Sequence, residues 1–243
     1  MMTKFITPKF FDLDNIKMIQ TTRHLGFSKG RFDSFNLSSS VGDNNDHVDK
    51  NENLLLKKVP NLQWIFQEHG NKVVELPSNN LIGDAVFTKK KNIVCAVRTA
   101  DCLPILLTNK NMSFVAAIHA GWRSLALGII ENTIISISSN SEVYAWLGPS
   151  ISIENYEVGK EFYNYFMNID DDLSNAFLKI DDKYKFSLPI AARIKLNKIG
   201  VNKIYGSTVD QDFCTFNDDK RFYSYRRDKT TGRMASMIWI NDI

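Results

Sequence analysis

The chain has 243 residues, 30 Lys plus Arg against 27 Asp plus Glu for a formal charge of +3, and only four His and three Cys. So mild a balance gives no electrostatic case for nucleic-acid binding. An odd cysteine count with no C-x-x-C pair fits a reducing compartment better than a disulfide-stapled secreted scaffold. A chain of this length hides roughly 70–75% of its unfolded surface on folding, so its core needs neither disulfide nor structural metal.

The first residues, M-M-T-K-F-I-T-P-K-F-F-D, are interrupted by Lys4, Pro8 and Lys9 before a signal-peptide core can form, and no apolar run approaches membrane length. A cytoplasmic protein with no membrane partner is expected. F-S-K-G-R-F-D-S-F-N-L-S alternates in part, with Gly30 as a turn residue, and S-V-G-D-N-N-D-H follows as a polar loop. Residues 48–59 read as a short helix ended before Pro60. L-Q-W-I-F-Q reads as a strand running into Glu68-His69-Gly70. Lys89-Lys90-Lys91 is a solvated turn. I-V-C-A-V-R, L-P-I-L-L and S-F-V-A-A-I-H are continuous apolar runs, the pattern of strands buried on both faces. Cys102 lies between the first two and His119 ends the third.

Ser124 is expected to cap a helix over 124–137, with apolar residues at helical spacing. E-V-Y-A-W-L-G-P is a buried strand stopped by Gly148-Pro149. Y-E-V-G-K-E-F-Y-N-Y-F is predicted helical. Ser187, Pro189, Lys198 and Gly200 mark the start and end of another helix. Strands around Ile204, Cys214, Tyr223 and Ile238 close the chain. With no internal repeat and no composition shift, a single domain over 1–243 is predicted. Its strands and helices do not strictly alternate, which indicates an α+β or mixed α/β fold of mixed β-sheets with flanking helices.

Three residues carry the chemistry: His69 in Q-E-H-G, Cys102 in A-D-C-L-P and His119 in H-A-G-W-R. Two imidazoles and a thiolate make a zinc site with one open position. The same trio also suits a cysteine nucleophile with its base. Asp101 and Glu68 adjoin two of these residues and are candidates for orienting them or moving protons. Their neighbours Gly70, Pro104 and Gly121 bend the backbone where apolar strands end, which is where such folds place their chemistry. His24 and His47 read as surface residues and Cys95 as core, while Cys214 is open to either reading. Arg123, on a turn entering a helix, is a candidate for phosphate or carboxylate. Arg226-Arg227 and Arg23 are further anion candidates. Asn36 either contacts substrate or holds a turn.

These segments, with T-R-H-L-G-F-S-K-G, F-N-L-S, V-G-D-N, G-D-A-V-F-T, T-A-D-C-L-P-I-L-L, L-G-P-S-I, Y-E-V-G and F-Y-S-Y-R-R-D-K-T-T-G-R, resemble in order the bacterial polyphenol oxidase or laccase-domain family, whose members include multifunctional purine nucleoside enzymes. The resemblance implies a metal site at His69, Cys102 and His119, usually zinc, with copper the alternative. It implies phosphorolysis of adenosine, inosine, guanosine and methylthioadenosine, with adenosine deamination alongside. Purine nucleoside and phosphate are then the partners, with no nucleic acid. It also implies a fold akin to the deamidase domain of cytotoxic necrotising toxins, whose Cys–His pair is catalytic, and some relatives are linked to removing wrongly built peptidoglycan precursors. Ser124 stands where Gly often follows G-W-R, and Glu68 where an apolar residue is common.

Four His cannot furnish a multicopper cluster, although a single His2Cys copper site remains open. The H-x-E and P-C-x-x-C signature of nucleobase deaminases is absent, so deamination would use another scaffold. A cysteine hydrolase and a non-enzymatic editing role are the remaining alternatives.

Overall fold

The three apolar runs are strands in the computed structural model, which describes residues 5–10, 13–207 and 213–242. The signal-peptide reading of the first twelve residues falls partly outside these. In chain order come β1 (Phe5–Ile6), β2 (Ile16–Thr21), α1 (Asn45–Leu56), β3 (Asn61–Leu62), β4 (Val73–Glu75), β5 (Ala85–Thr88), β6 (Ile93–Thr99), β7 (Leu103–Asn109) and β8 (Val115–Ala120). Then follow α2 (Trp122–Ala126), α3 (Ile129–Ile137), β9 (Val143–Leu147), β10 (Glu157–Val158), α4 (Lys160–Met167), β11 (Phe177–Ile180) and β12 (Lys183–Phe186). The last are α5 (Leu188–Lys198), β13 (Lys203–Gly206), α6 (Tyr225–Asp228) and β14 (Met234–Ile240).

The strands form two main mixed sheets, ordered β1-β2-β14-β6-β3 and β13-β9-β7-β8-β5-β4, and a small sheet, β10-β12-β11. Side chains alternate across a strand, and that alternation assembles the layers. Met18, Cys95, Val97 and Ile238 of the first sheet meet Val86, Leu106, Val115 and Ala117 of the second. The opposite residues of the second sheet, such as Ile105, Leu107, Ala116 and Ile118, pack on α3 and α5 through Ile129, Ile130, Ala191 and Leu196. The outer face of the first sheet, including Ala96, Ala235 and Met237, meets Leu55 of α1 with Phe35 and Leu37. The core strands are therefore covered on both sides, which is why β7 and β8 are buried at every residue and apolar except at Thr108, Asn109 and His119.

The helix predicted over 48–59 begins earlier, at Asn45. The Asn44 side chain accepts the Asp46 N–H at 2.8 Å, so the last three residues of the expected polar loop are helical. The strand predicted over 62–67 is reduced to β3, parallel to β6, and one isolated bridge between Phe66 and Ile82. The helix predicted over 124–137 breaks into α2 and α3 at Gly128, which takes φ 82°. Ser124 is not its cap but lies inside α2, whose N-cap is Gly121.

The helix predicted over 156–166 starts only at Lys160, because Glu157–Val158 pair with β12. The α5 prediction matches its signals: Ser187 Oγ accepts the Ile190 N–H at 3.2 Å, with Pro in the first turn and Gly200 at φ 83°. Strands form at Ile204 and Ile238, whereas Cys214 makes only an isolated bridge to Ser150 and Tyr223 lies in no strand. No described helix is long and apolar enough to cross a membrane.

A candidate metal centre where the chain crosses between the sheets

The chain leaves β6 in one sheet at Thr99 and enters β7 in the other at Leu103. Residues 100–102 make that crossing, and Cys102 sits on it. Asp101 adopts φ 90°, a conformation costly for a residue with a side chain. It is held there by its carboxylate, which accepts the Thr215 hydroxyl at 2.6 Å and the Arg226 N–H at 2.6 Å. Asp101 therefore positions the Cys102 backbone. Glu68, the other predicted neighbour, is exposed, and only its N–H enters the network described next.

His119 closes β8, beside Pro104 of β7. His69 comes from a loop that has no ladder to hold it and takes φ 60°. Two side chains hold the loop instead. Gln67 exchanges hydrogen bonds with the Arg98 backbone, its amide donating to the carbonyl at 2.9 Å and its oxygen accepting the N–H at 2.8 Å. The buried Asp84 carboxylate accepts the N–H groups of Glu68, His69 and Gly70 at 3.2, 3.0 and 2.7 Å. Asp84 also accepts His119 Nδ1–H at 2.8 Å, and its backbone carbonyl accepts the His119 N–H at 2.7 Å. One carboxylate thus fixes both imidazoles.

The ligand atoms of His69, Cys102 and His119 all lie within 4.8 Å of one another. Cys102 Sγ is 3.9 Å from His69 Nε2, and the two rings meet edge to face with centroids 4.7 Å apart. Tetrahedral zinc with bonds of about 2.0–2.3 Å sets its donors roughly 3.5 Å apart, so the trio fits such an ion with little adjustment. Because Asp84 takes the Nδ1 proton, His119 Nε2 faces the centre as a lone-pair donor. Gly121 supports the same reading. A Cβ there would lie 3.1 Å from Cys102 Sγ and from His69 Cδ2 and 3.7 Å from His119 Nε2, filling the space over the trio.

Burial alone would raise the Cys102 thiol, but the charge and hydrogen bonds of His119 and His69 outweigh it and bring the group down to about 6. Burial alone would lower His119, yet Cys102 and Asp84 lift it to about 9. Asp84 lies below the usual carboxylate range: burial opposes its charge, and the contacts with His119, Gly70 and Glu68 overcome that. Even without metal, the centre favours a thiolate facing an imidazolium.

The trio opens into a cavity of about 870 Å3, within the range of small-molecule sites. Its walls include Trp64, Phe66, Trp122, Tyr156 and Tyr225, and Arg123 and Arg226 both line it. Arg123 lies over the Trp122 ring at 4.5 Å and Arg226 over Tyr156 at 5.0 Å. Arg227 and Arg23 are outside this lining. Arg227 binds the Thr215, Phe216 and Phe222 carbonyls, and Arg23 binds the Asp33 and Asp219 carbonyls and covers Tyr223.

Asn36, a candidate substrate contact, is fully buried and also outside the lining. Its side chain binds Ser38, Asp43 and the Arg233 N–H, so it holds a turn. Cys95 is fully buried between the sheets, and Cys214 is buried with its thiol donating to Ser152 Oγ at 3.1 Å.

Three residues escaped sequence reasoning: Asp84, Arg98 and Arg233. The signal was a polar residue at the very edge of an apolar strand, as in G-D-A-V-F-T, V-R-T-A-D-C and T-T-G-R-M-A.

Residues 17–241 match the family described as multi-copper polyphenol oxidoreductase laccase. An Escherichia coli (strain K12) protein named purine nucleoside phosphorylase YfiH is 41% identical, over 98% of this chain and 100% of its own. A Haemophilus influenzae protein named purine nucleoside phosphorylase is 40% identical, over 96% and 98%. Among solved structures, a Neisseria meningitidis protein matches with a TM-score of 0.92 at 36% identity, covering 99% of this chain and 100% of that one. Bacillus licheniformis YfiH matches with a TM-score of 0.87 at 26% identity, covering 95% and 94%.

Proposed function

Because the chain belongs to the multi-copper polyphenol oxidoreductase laccase family, whose relatives include proteins named purine nucleoside phosphorylase, we propose that it is a metal-dependent purine nucleoside phosphorylase, one domain over 1–243. The single observation that carries the reading is the His69–Cys102–His119 cluster at a cavity of nucleoside size lined with arginines and aromatic rings. The metal assigned is zinc, which the donor set suits. When bound, it supplies Lewis-acid chemistry at an open coordination position.

The chain's own residues do the rest. Asp84 holds His119 in one tautomer and fixes the His69 loop, so both imidazoles are oriented before substrate arrives. Asp101 fixes the crossing that carries Cys102. Trp122 and Tyr156 each stack with a guanidinium, Arg123 and Arg226, giving flat surfaces against which a purine can lie and donors to hydrogen-bond it. Adenosine, inosine, guanosine and methylthioadenosine are the assigned substrates, with adenosine deamination as a second activity of the same centre.

The test is incubation of zinc-loaded protein with adenosine and phosphate, followed by chromatography for adenine, ribose-1-phosphate and inosine. Adenine and ribose-1-phosphate in equal amounts support phosphorolysis, and inosine supports deamination. No product from any purine nucleoside would sink the reading.

A further inference from the structure

The cavity holds a second pair of arginines. Arg98 is the penultimate residue of β6, and its strand partner is Ala235 of β14. Arg233 lies two residues before Ala235, so Arg98 and Arg233 leave the same face of the sheet as diagonal neighbours. Leu37 ties them together: its carbonyl accepts Arg98 Nη1–H at 3.2 Å and its N–H donates to the Arg233 carbonyl at 3.2 Å. Asn36 Oδ1 accepts the Arg233 N–H at 2.9 Å. Both guanidiniums are oriented by carbonyls. Arg98 Nη2 donates to Ile65 at 3.1 Å and lies over the Trp64 ring at 4.8 Å, and Arg233 Nη1 donates to Thr231 and Gly232 at 2.9 and 3.0 Å.

Carbonyls orient a guanidinium without neutralising it. Among the described residues neither Arg98 nor Arg233 has a carboxylate at ion-pair distance, and neither has Nε–H partnered. Burial holds both below the ordinary guanidinium range. For Arg98 the Glu52 carboxylate pushes back and the charge of Arg233 adds to the drop, while for Arg233 the Cys102 and Asp101 side chains push back. Two buried guanidiniums that border one substrate cavity, each with donors to spare, can give an anion there several charged hydrogen bonds.

We propose that Arg98 and Arg233 form an oxyanion subsite that takes inorganic phosphate, distinct from Arg123 and Arg226, which face the nucleoside. The proposal rests on the phosphorylase reading for its ligand. Planar forks suit the paired oxygens of a tetrahedral oxyanion, which a point charge would not orient. In the step this serves, a phosphate oxygen bonds to the ribose C1′ as the C1′–N9 bond breaks. The electron pair of that bond leaves with the purine, and the proton carried by hydrogen phosphate ends on it. Arg98 and Arg233 hold the phosphate but take no proton.

The test uses the full zinc-loaded chain and inorganic phosphate, with calorimetric titration beside initial rates. Arg98→Gln and Arg233→Gln are each expected to weaken phosphate binding by roughly tenfold to a hundredfold, the loss of charged hydrogen bonds. The KM for phosphate rises in parallel, while the KM for adenosine and the zinc content stay within about twofold. Arg233→Lys restores part of the binding. It is the decisive variant if the Gln substitutions lower the melting temperature, since Arg98 also ties down Leu37 and Ile65. Arg31→Gln, at an exposed arginine outside the cavity, leaves phosphate binding unchanged.

Unaltered phosphate affinity in the Arg98 and Arg233 variants, or its loss on Arg123→Gln instead, overturns the subsite. Arginine-dependent phosphate binding without ribose-1-phosphate formation would leave the subsite standing and remove the phosphorylase reading. Ribose-1-phosphate formation with a phosphate KM indifferent to both arginines would do the reverse.

Discussion

The Asp84 carboxylate accepts four hydrogen bonds from the His69 loop and from His119. Asn would keep the shape, but its NH2 would face N–H donors that now meet an acceptor. Asp84→Asn is expected to cut zinc affinity by roughly 10–100-fold, the usual cost of losing an outer partner of a metal ligand. Competition with a chelator measures this. Cys102 offers a second check. In metal-free protein at pH 7 its thiol, brought down to about 6, is mostly thiolate and alkylates with iodoacetamide. Cys95, fully buried and pushed up by that burial, stays intact, and zinc protects Cys102; mass spectrometry distinguishes the three cases. Gly121→Ala should lose zinc while the melting temperature of the zinc-free protein stays unchanged, since the added methyl points at the ligands and not at the core. The trio was legible because soft ligands are scarce in this chain and sit at strand ends. Asp84 was not, because a carboxylate 15 residues from one imidazole and 35 from the other has no local pattern. Asn36 misled for a related reason: an asparagine that organises a buried turn and one that touches substrate look alike in sequence.

The elements that sequence revealed best are those whose signals are local. In α5 the N-cap, the proline and the closing glycine all lie within the helix or next to it, and each works as expected. Ser187→Ala is expected to lower stability by about 1 kcal/mol, read from denaturant unfolding. The break between α2 and α3 was hidden because the apolar spacing continues through Gly128. What stops the helix is one residue at φ 82°, where a side chain costs about 1–2 kcal/mol. Residues 62–67 misled in the opposite sense. They have strand-like composition, but beyond Leu62 it is the Gln67 amide, not a backbone ladder, that ties them to β6. β4 and β5 went unread because they are short, three and four residues, and pair in parallel with each other, so no tight hairpin turn joins them. The layer order could not be read because it rests on pairing that is non-local.

For the molecule as a whole, acid stability has an identifiable contributor. Burial opposes the Asp170 charge, but contacts with Lys198 at the end of α5 and with the Asp172 N–H hold the carboxyl below its ordinary value. A carboxylate lowered in this way stabilises the fold above its unfolded value of about 3.9, and that contribution fades as pH falls through the folded value. Lys198→Met should therefore flatten the fall in melting temperature below about pH 4 and change little at pH 7 beyond the loss of a surface pair. The strand order carries a further consequence. The middle of the five-stranded sheet is filled by β14, flanked by β2 and β6, which were translated long before. Until residues 234–240 leave the ribosome, both neighbours wait with bare edges open to foreign strands. Any polypeptide released early lacks the keystone of its own sheet and must be shielded or destroyed.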